Sequence, residues 1–240
     1  NSAALEVKST NKGLLPPRMT EADRNAITTP ATGLIVWCTN CGSDGEVQVF
    51  NGTSWTNLIG GAAAEGPRVG DFRGGGVVFY IPPTPTDLNG DGSLDTGLVC
   101  AIEDQSSGEW WNGSHMFTGA AATAIGTGAT NTTTIIQEQG PGTYAASICD
   151  NYSFIVSNTT YTDWFLPSKD ELNQMYVNKS TINTTAVNSG GSGIATGNTV
   201  LYWSSTEADK YRTWILYFGP GYDLSKLKTS TYGVRAVRAF

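Results

Sequence analysis

Histidine is almost absent from this sequence: His115 is the only one, and no cysteine follows Cys149. A Ser/His/Asp triad would rest on that one imidazole, and the G-x-S-x-G turn that presents a nucleophilic serine does not occur. Charge is scarce as well. Asp, Glu, Lys and Arg make up 15% of residues, with no block of Lys or Arg, so the electrostatic footprint needed for nucleic acid or anionic lipid is missing. The balance is acidic, 14 basic against 21 acidic side chains, a formal net charge of −7. No stretch reaches the roughly 18 consecutive apolar residues of a membrane-spanning helix. Catalysis, nucleic-acid binding and membrane insertion are therefore not expected.

What remains is the material of an extracellular fold rich in strands and turns. Hydrophobic residues make up 39% and aromatics 10%, enough for a core, while 29 glycines favour strands and loops over long helices. Asn1 is not an initiator methionine, so the chain reads as secreted and processed, or cut from something longer. The four cysteines fall as Cys38-Thr-Asn-Cys41 and as Cys100 with Cys149. Two disulfides are the simplest reading; a redox pair or half a zinc site are the alternatives for the first motif.

The pattern divides the chain into a small β-rich module over 1–60, a linker over 61–68 and a larger α+β domain over 69–240. In the module, Ala4-Leu-Glu-Val7 and Gly33-Leu-Ile-Val-Trp37 read as strands. Glu46-Val-Gln-Val-Phe50 alternates like a half-exposed strand, and Asn51-Gly52 supplies a hairpin turn. Thr20 with Asp23 is a capping box for a short helix that Pro30 ends. The linker is small residues without periodicity, Gly60-Gly-Ala-Ala-Ala-Glu-Gly-Pro67. In the larger domain, Gly74–Ile81 and Gly97–Ile102 read as hairpin partners around an acidic loop. Helices are expected over Thr132–Gln139, over Thr143–Cys149 and after Ser168, where Glu171 completes a capping box and Leu172, Met175 and Tyr176 form the apolar stripe. Strands follow at Val200–Trp203, Arg212–Phe218 and Tyr232–Phe240. The last must be tied into a sheet, since Val234, Val237 and Phe240 would otherwise be wet. Arg235 and Arg238, three apart, point to opposite faces, and the buried one needs Glu207, Glu103 or Asp104 as partner.

Five stretches, in order, carry a resemblance: Gly74-Gly-Gly-Val-Val-Phe-Tyr80, Ala101-Ile-Glu-Asp104, Asp163-Trp-Phe-Leu-Pro-Ser-Lys-Asp-Glu-Leu172, Tyr202-Trp-Ser-Ser-Thr-Glu207 and Val234-Arg-Ala-Val-Arg-Ala-Phe240. Residues 70–240 resemble the C-terminal domain of bacterial collagen-like adhesins. That resemblance implies a C-type-lectin-like domain with two or three short helices, related to formylglycine-generating enzymes and to retroelement variable proteins. The reactive late cysteines of the former are missing here. The module, through Lys12-Gly-Leu-Leu-Pro-Pro-Arg-Met-Thr20 and Pro30-Ala-Thr-Gly33, is similar to modules of phage tail fibres and bacterial surface fibres.

Two candidate sites follow. Asp87-Leu-Asn-Gly-Asp-Gly-Ser-Leu-Asp95 sets Asp87, Asn89, Asp91 and Asp95 at positions 1, 3, 5 and 9 of a calcium loop, with the Ser93 carbonyl at 7. A structural calcium is expected there, although Leu98 stands where the bidentate Glu belongs. The resemblance also implies ligand contacts from the final strands and their loops, here Asp209, Lys210, Arg212, Trp214, Tyr222, Asp223 and Lys226. Aromatic and arginine side chains there are suited to a hot spot. Trp110-Trp111 with His115 is a further groove candidate. The expected function is adhesion or receptor binding at a bacterial surface or on a virion fibre. The expected partner is a cell-surface protein or glycan, or the chain itself as a homotrimer. The alternative is a filament subunit assembled through its N-terminal segment, with Asn1–Lys12 added as a strand to a neighbour.

Overall fold

The structure, a computed structural model, describes residues 9–42, 45–195, 197 and 199–240. It divides into two compact units, Asn1–Pro67 and Arg68–Phe240. The strand expected at Ala4–Val7, and most of the segment expected to pair with a neighbour, lie outside the described residues.

The first unit holds β1 (Arg18–Met19), α1 (Glu21–Asn25), β2 (Ile35–Cys38), β3 (Glu46–Phe50) and β4 (Trp55–Asn57). The strands form one sheet in the order β1-β2-β3-β4, with β1 parallel to β2 and the rest antiparallel. Thr20 and Asp23 form the capping box that starts α1. The β3–β4 turn is held by Asn51 Oδ1, which accepts the Thr53 and Ser54 amides, while Gly52 takes φ +100°, open to glycine at little cost. Cys38 and Cys41 are disulfide-bonded. Arg24 of α1 is buried against the sheet, bonded to Gln48 and Glu21 and stacked 5.6 Å from the Trp55 ring centre.

The second unit runs β5 (Phe72–Arg73), β6 (Gly76–Tyr80), β7 (Leu98–Ala101), β8 (Ser106–Gly108), α2 (Gly128–Gln139), α3 (Ala145–Asp150), β9 (Phe154–Val156), β10 (Thr159–Tyr161), α4 (Lys169–Val177), α5 (Lys179–Asn188), β11 (Leu201–Glu207), β12 (Arg212–Tyr217), β13 (Tyr222–Leu227), β14 (Tyr232–Val234) and β15 (Val237–Ala239). It is α+β, with short helices packed on two sheets. One sheet has the order β13-β12-β11-β14-β8 and the other β15-β7-β6-β5; β9 and β10 form a separate hairpin. The chain's last residues cross between the sheets. Phe240 is tied back to the start of β7, its carbonyl accepting the Thr96 amide at 2.6 Å. Arg235, at the crossover, is 1% exposed, and its Nε donates to Asp104 Oδ1 at 2.8 Å.

Side-chain alternation along β6 and β7 builds two core layers. Val77, Phe79, Leu98 and Cys100 enter one, with Leu172 and Met175 of α4. Val78, Val99 and Ala101 enter the other, with Trp110, Trp203 and Cys149 of α3. This corrects one expectation: Cys100 and Cys149 are both free and buried. The two thiols belong to layers on opposite faces of β7, because successive strand residues point to opposite sides. The helix α5 is an addition to the sequence reading. Its Thr/Asn-rich text buries only Ile182 and Ala186, a stripe too narrow to announce itself.

Candidate functional site

The β11–β12 connection is a tight turn built by Asp209, whose Oδ1 accepts the amides of Tyr211 at 2.7 Å and Arg212 at 2.9 Å. Such side-chain capping frees the two intervening residues to project. Tyr211 is 43% exposed, with the Lys210 ammonium 4.6 Å from its ring centre. The turn is moored to the segment after β8 through one backbone: the Lys228 amide donates to the Tyr211 carbonyl at 2.9 Å, and the Lys228 carbonyl accepts the Trp110 amide at 3.0 Å. Trp110 points inward, its indole donating to the Ser204 carbonyl at 2.9 Å. Its neighbour Trp111 emerges half-buried and stacks on His115 at 4.3 Å, tilted by 33°; His115 meets Tyr211 edge-on at 4.9 Å. The result is a surface shelf of three rings, rimmed by Lys210 and by Glu109, which accepts the Trp111 indole proton at 2.8 Å.

A buried ion pair fixes the loop that carries His115. Lys228 and Glu207 are both almost fully buried and bonded to each other. Glu207 also accepts the amides of Thr118 at 3.0 Å and Gly119 at 2.9 Å, and Lys228 donates to the Met116 carbonyl at 2.9 Å. Burial pushes the Lys228 ammonium below its ordinary pKa, against the pull of Glu207. A β-bulge between Trp203 and Glu207 accompanies this inward turn of the strand end. The shelf therefore stands on a preorganised base, which lowers the entropy lost on binding.

The seven residues expected at the ligand site fall in three places. Asp209 and Lys210 belong to the shelf. Register sets Trp214 opposite Ser225 and Leu216 opposite Asp223, so Arg212, Trp214 and Asp223 share a face. There Lys169 closes over Trp214 and Asp223, its Nζ 3.0 Å from Asp223 Oδ2 and 4.3 Å from the Trp214 ring centre. Tyr222 and Lys226 lie on the opposite face, paired with Tyr217 and Thr213. Tyr222 is 49% exposed and meets Tyr217 edge-on at 5.5 Å. Trp111, His115 and Tyr211 come together across about a hundred residues of chain. In the sequence, Trp111 with His115 and the hairpin stand as separate candidates. Lys228 carries no such signal: in the sequence it is the second lysine of Lys226-Leu-Lys228, just past the end of a strand of mixed polarity.

In the acidic loop, the carboxylates turn onto the loop's own backbone. Asp87 accepts the amides of Gly90 at 2.6 Å and Gly92 at 2.9 Å, Asp91 accepts Ser93 at 2.7 Å, and Asp95 accepts Leu88 at 2.8 Å. Asn89 Oδ1 accepts the Asp91 amide at 3.0 Å. Those bonds hold Asp87 below its ordinary pKa, while Asp95 is raised by burial and then by the charges of Asp91 and Asp87. Among the described residues no group of three or more His, Cys, Asp or Glu side chains converges as metal ligands.

Residues 101–238 match the family described as Lcl C-terminal domain, and residues 1–70 match the one described as Phage tail like trimerisation region. No curated protein matches. A solved fimbrial protein from Bacteroides ovatus ATCC 8483 is similar, with a TM-score of 0.53 and 16% identity over 75% of this chain and 47% of that one. At that identity the likeness is one of fold, and the chain spans less than half of that protein's length.

Proposed function

The chain belongs to the Lcl C-terminal domain family, and from that premise we propose that it is a non-catalytic binding module of a bacterial surface or fibre protein, presented as a homotrimer. Its second unit carries the recognition surface and its first the trimer contacts. The observation that carries the reading is the shelf of Trp111, His115 and Tyr211. Exposed aromatic rings on a rigid base bury area with little loss of side-chain freedom. The partner is a cell-surface protein or glycan at the bacterium's exterior. The fold is read as C-type-lectin-like, since β6, near the start of the second unit, and β15 at its end flank β7 in one sheet.

The test is attachment of labelled chain to cultured epithelial cells and to a printed glycan panel. Wild type binds one of them; Trp111→Ala and Tyr211→Ala reduce binding tenfold or more with unchanged melting. Binding by neither surface, or by the variants as strongly as wild type, overturns the reading. A filament subunit would instead keep its behaviour in these variants and lose open-ended assembly when residues 1–15 are removed.

Calcium is proposed as a structural ion of the 87–95 loop, where burial first and then the like charges of Asp91 and Asp87 raise Asp95, the latter a repulsion a cation relieves. Chelator-treated chain then melts at a higher temperature in millimolar calcium. An unchanged melting temperature removes the ion.

A further inference from the structure

Among the described residues, the first unit has one sealed sheet face and one open one. Register assigns them: Ile35 lies opposite Val49, Trp37 opposite Val47, and Val49 opposite Thr56, so these five side chains share a face. Val36, Cys38 and Gln48 lie on the other, where α1 places the buried Arg24 against Gln48 and Trp55 and where all three are buried. Among the described residues the first face has no such cover. Ile35 is 41% exposed, and Trp37, Val47, Val49 and Thr56 are only half-buried. At its margin Trp37, Val47, Leu58 and Ile59 line a shallow groove of about 350 Å³, with Leu58 65% and Ile59 92% exposed.

The reason lies in the size of the unit. One five-residue helix can cover one side of a four-stranded sheet and no more. A β-branched and aromatic face left in water is then unsatisfied unless another protein surface meets it. The whole of this sheet falls within the residues that match a trimerisation region. The geometry points to the Ile35–Trp37–Val47–Val49–Thr56 face as the surface on which two further copies of this chain pack, three such faces closing a common core around a threefold axis. This rests on the homotrimeric reading and adds to it the face and the residues.

Light scattering after size exclusion on the full chain tests it, beside the single variants Ile35→Glu and Val49→Lys. The expected result is three chain masses for wild type and one for each variant, with far-UV circular dichroism unchanged. A wild type of one chain mass overturns both the trimer and the face. A wild-type trimer with trimeric variants overturns the face alone. Should the variants unfold, Thr56→Cys decides. Cys38 and Cys41 are bonded and Cys100 and Cys149 buried, so the introduced thiol is the reactive one. Shielded in the trimer, that thiol labels with maleimide at least tenfold more slowly than in the same chain in urea corrected for intrinsic rate. Labelling of the native chain at the unfolded rate overturns the proposal.

Discussion

Glu171 has two structural duties on one carboxylate. Its Oε2 accepts the Ser168 amide at 2.8 Å to start α4, and its Oε1 accepts the amides of Gly126 at 2.8 Å and Gly128 at 3.3 Å to fasten the loop into α2. The capping role was readable in the text Ser168-Lys-Asp-Glu171; the second was not, because it depends on a loop more than forty residues upstream. Burial raises the pKa to about 7 in spite of these bonds. The folded value lies above the ordinary 4.5, so the native state holds the proton more tightly. Stability from this group is then fully present below about pH 4.5 and is lost as pH rises through 7. Melting temperatures of wild type and Glu171→Gln should diverge further, in favour of wild type, as pH falls from 8 to 5. A difference that stays flat contradicts the assignment.

At the scale of elements, β11 and the residue after β13 hold the shelf through Glu207 and Lys228. Lys228→Met leaves a buried carboxylate unpaired, a loss of about 3–5 kcal/mol in urea unfolding. Amide exchange at Met116–Gly119 should accelerate in the same variant, because Lys228 holds the Met116 carbonyl. Adding Glu207→Gln should recover part of the loss. A single variant within about 1 kcal/mol of wild type would show that water already reaches the pair. This scale also shows where pattern reading stops. Alternation puts Arg212, Trp214 and Leu216 on one face of β12, but the partner strand's register decides which of Tyr222 and Asp223 joins them. A one-residue slip exchanges the two faces. The cysteines teach the same lesson. Cys100 and Cys149 look like a pair by count, and strand alternation puts them in different core layers.

Across the whole molecule, the two units have different proposed tasks, and neither is written in a contiguous motif. The sheet face that the described residues of the first leave uncovered is legible only once strand pairing tells which alternate residues align. The shelf of the second needs β14 to pair with β8, and Lys228 to bond both Trp110 and Tyr211, before residues 111, 115 and 211 meet. Composition sets only an expectation, since a single histidine and sparse charge leave binding as the expected class. The most direct measurement compares attachment to the same cells or glycan panel for wild type, Tyr211→Ala and Tyr222→Ala. Both tyrosines are exposed, but only Tyr211 belongs to the shelf. The account predicts a tenfold or greater loss for Tyr211→Ala and less than twofold for Tyr222→Ala; the opposite ranking would contradict it and place recognition on the outer strand β13.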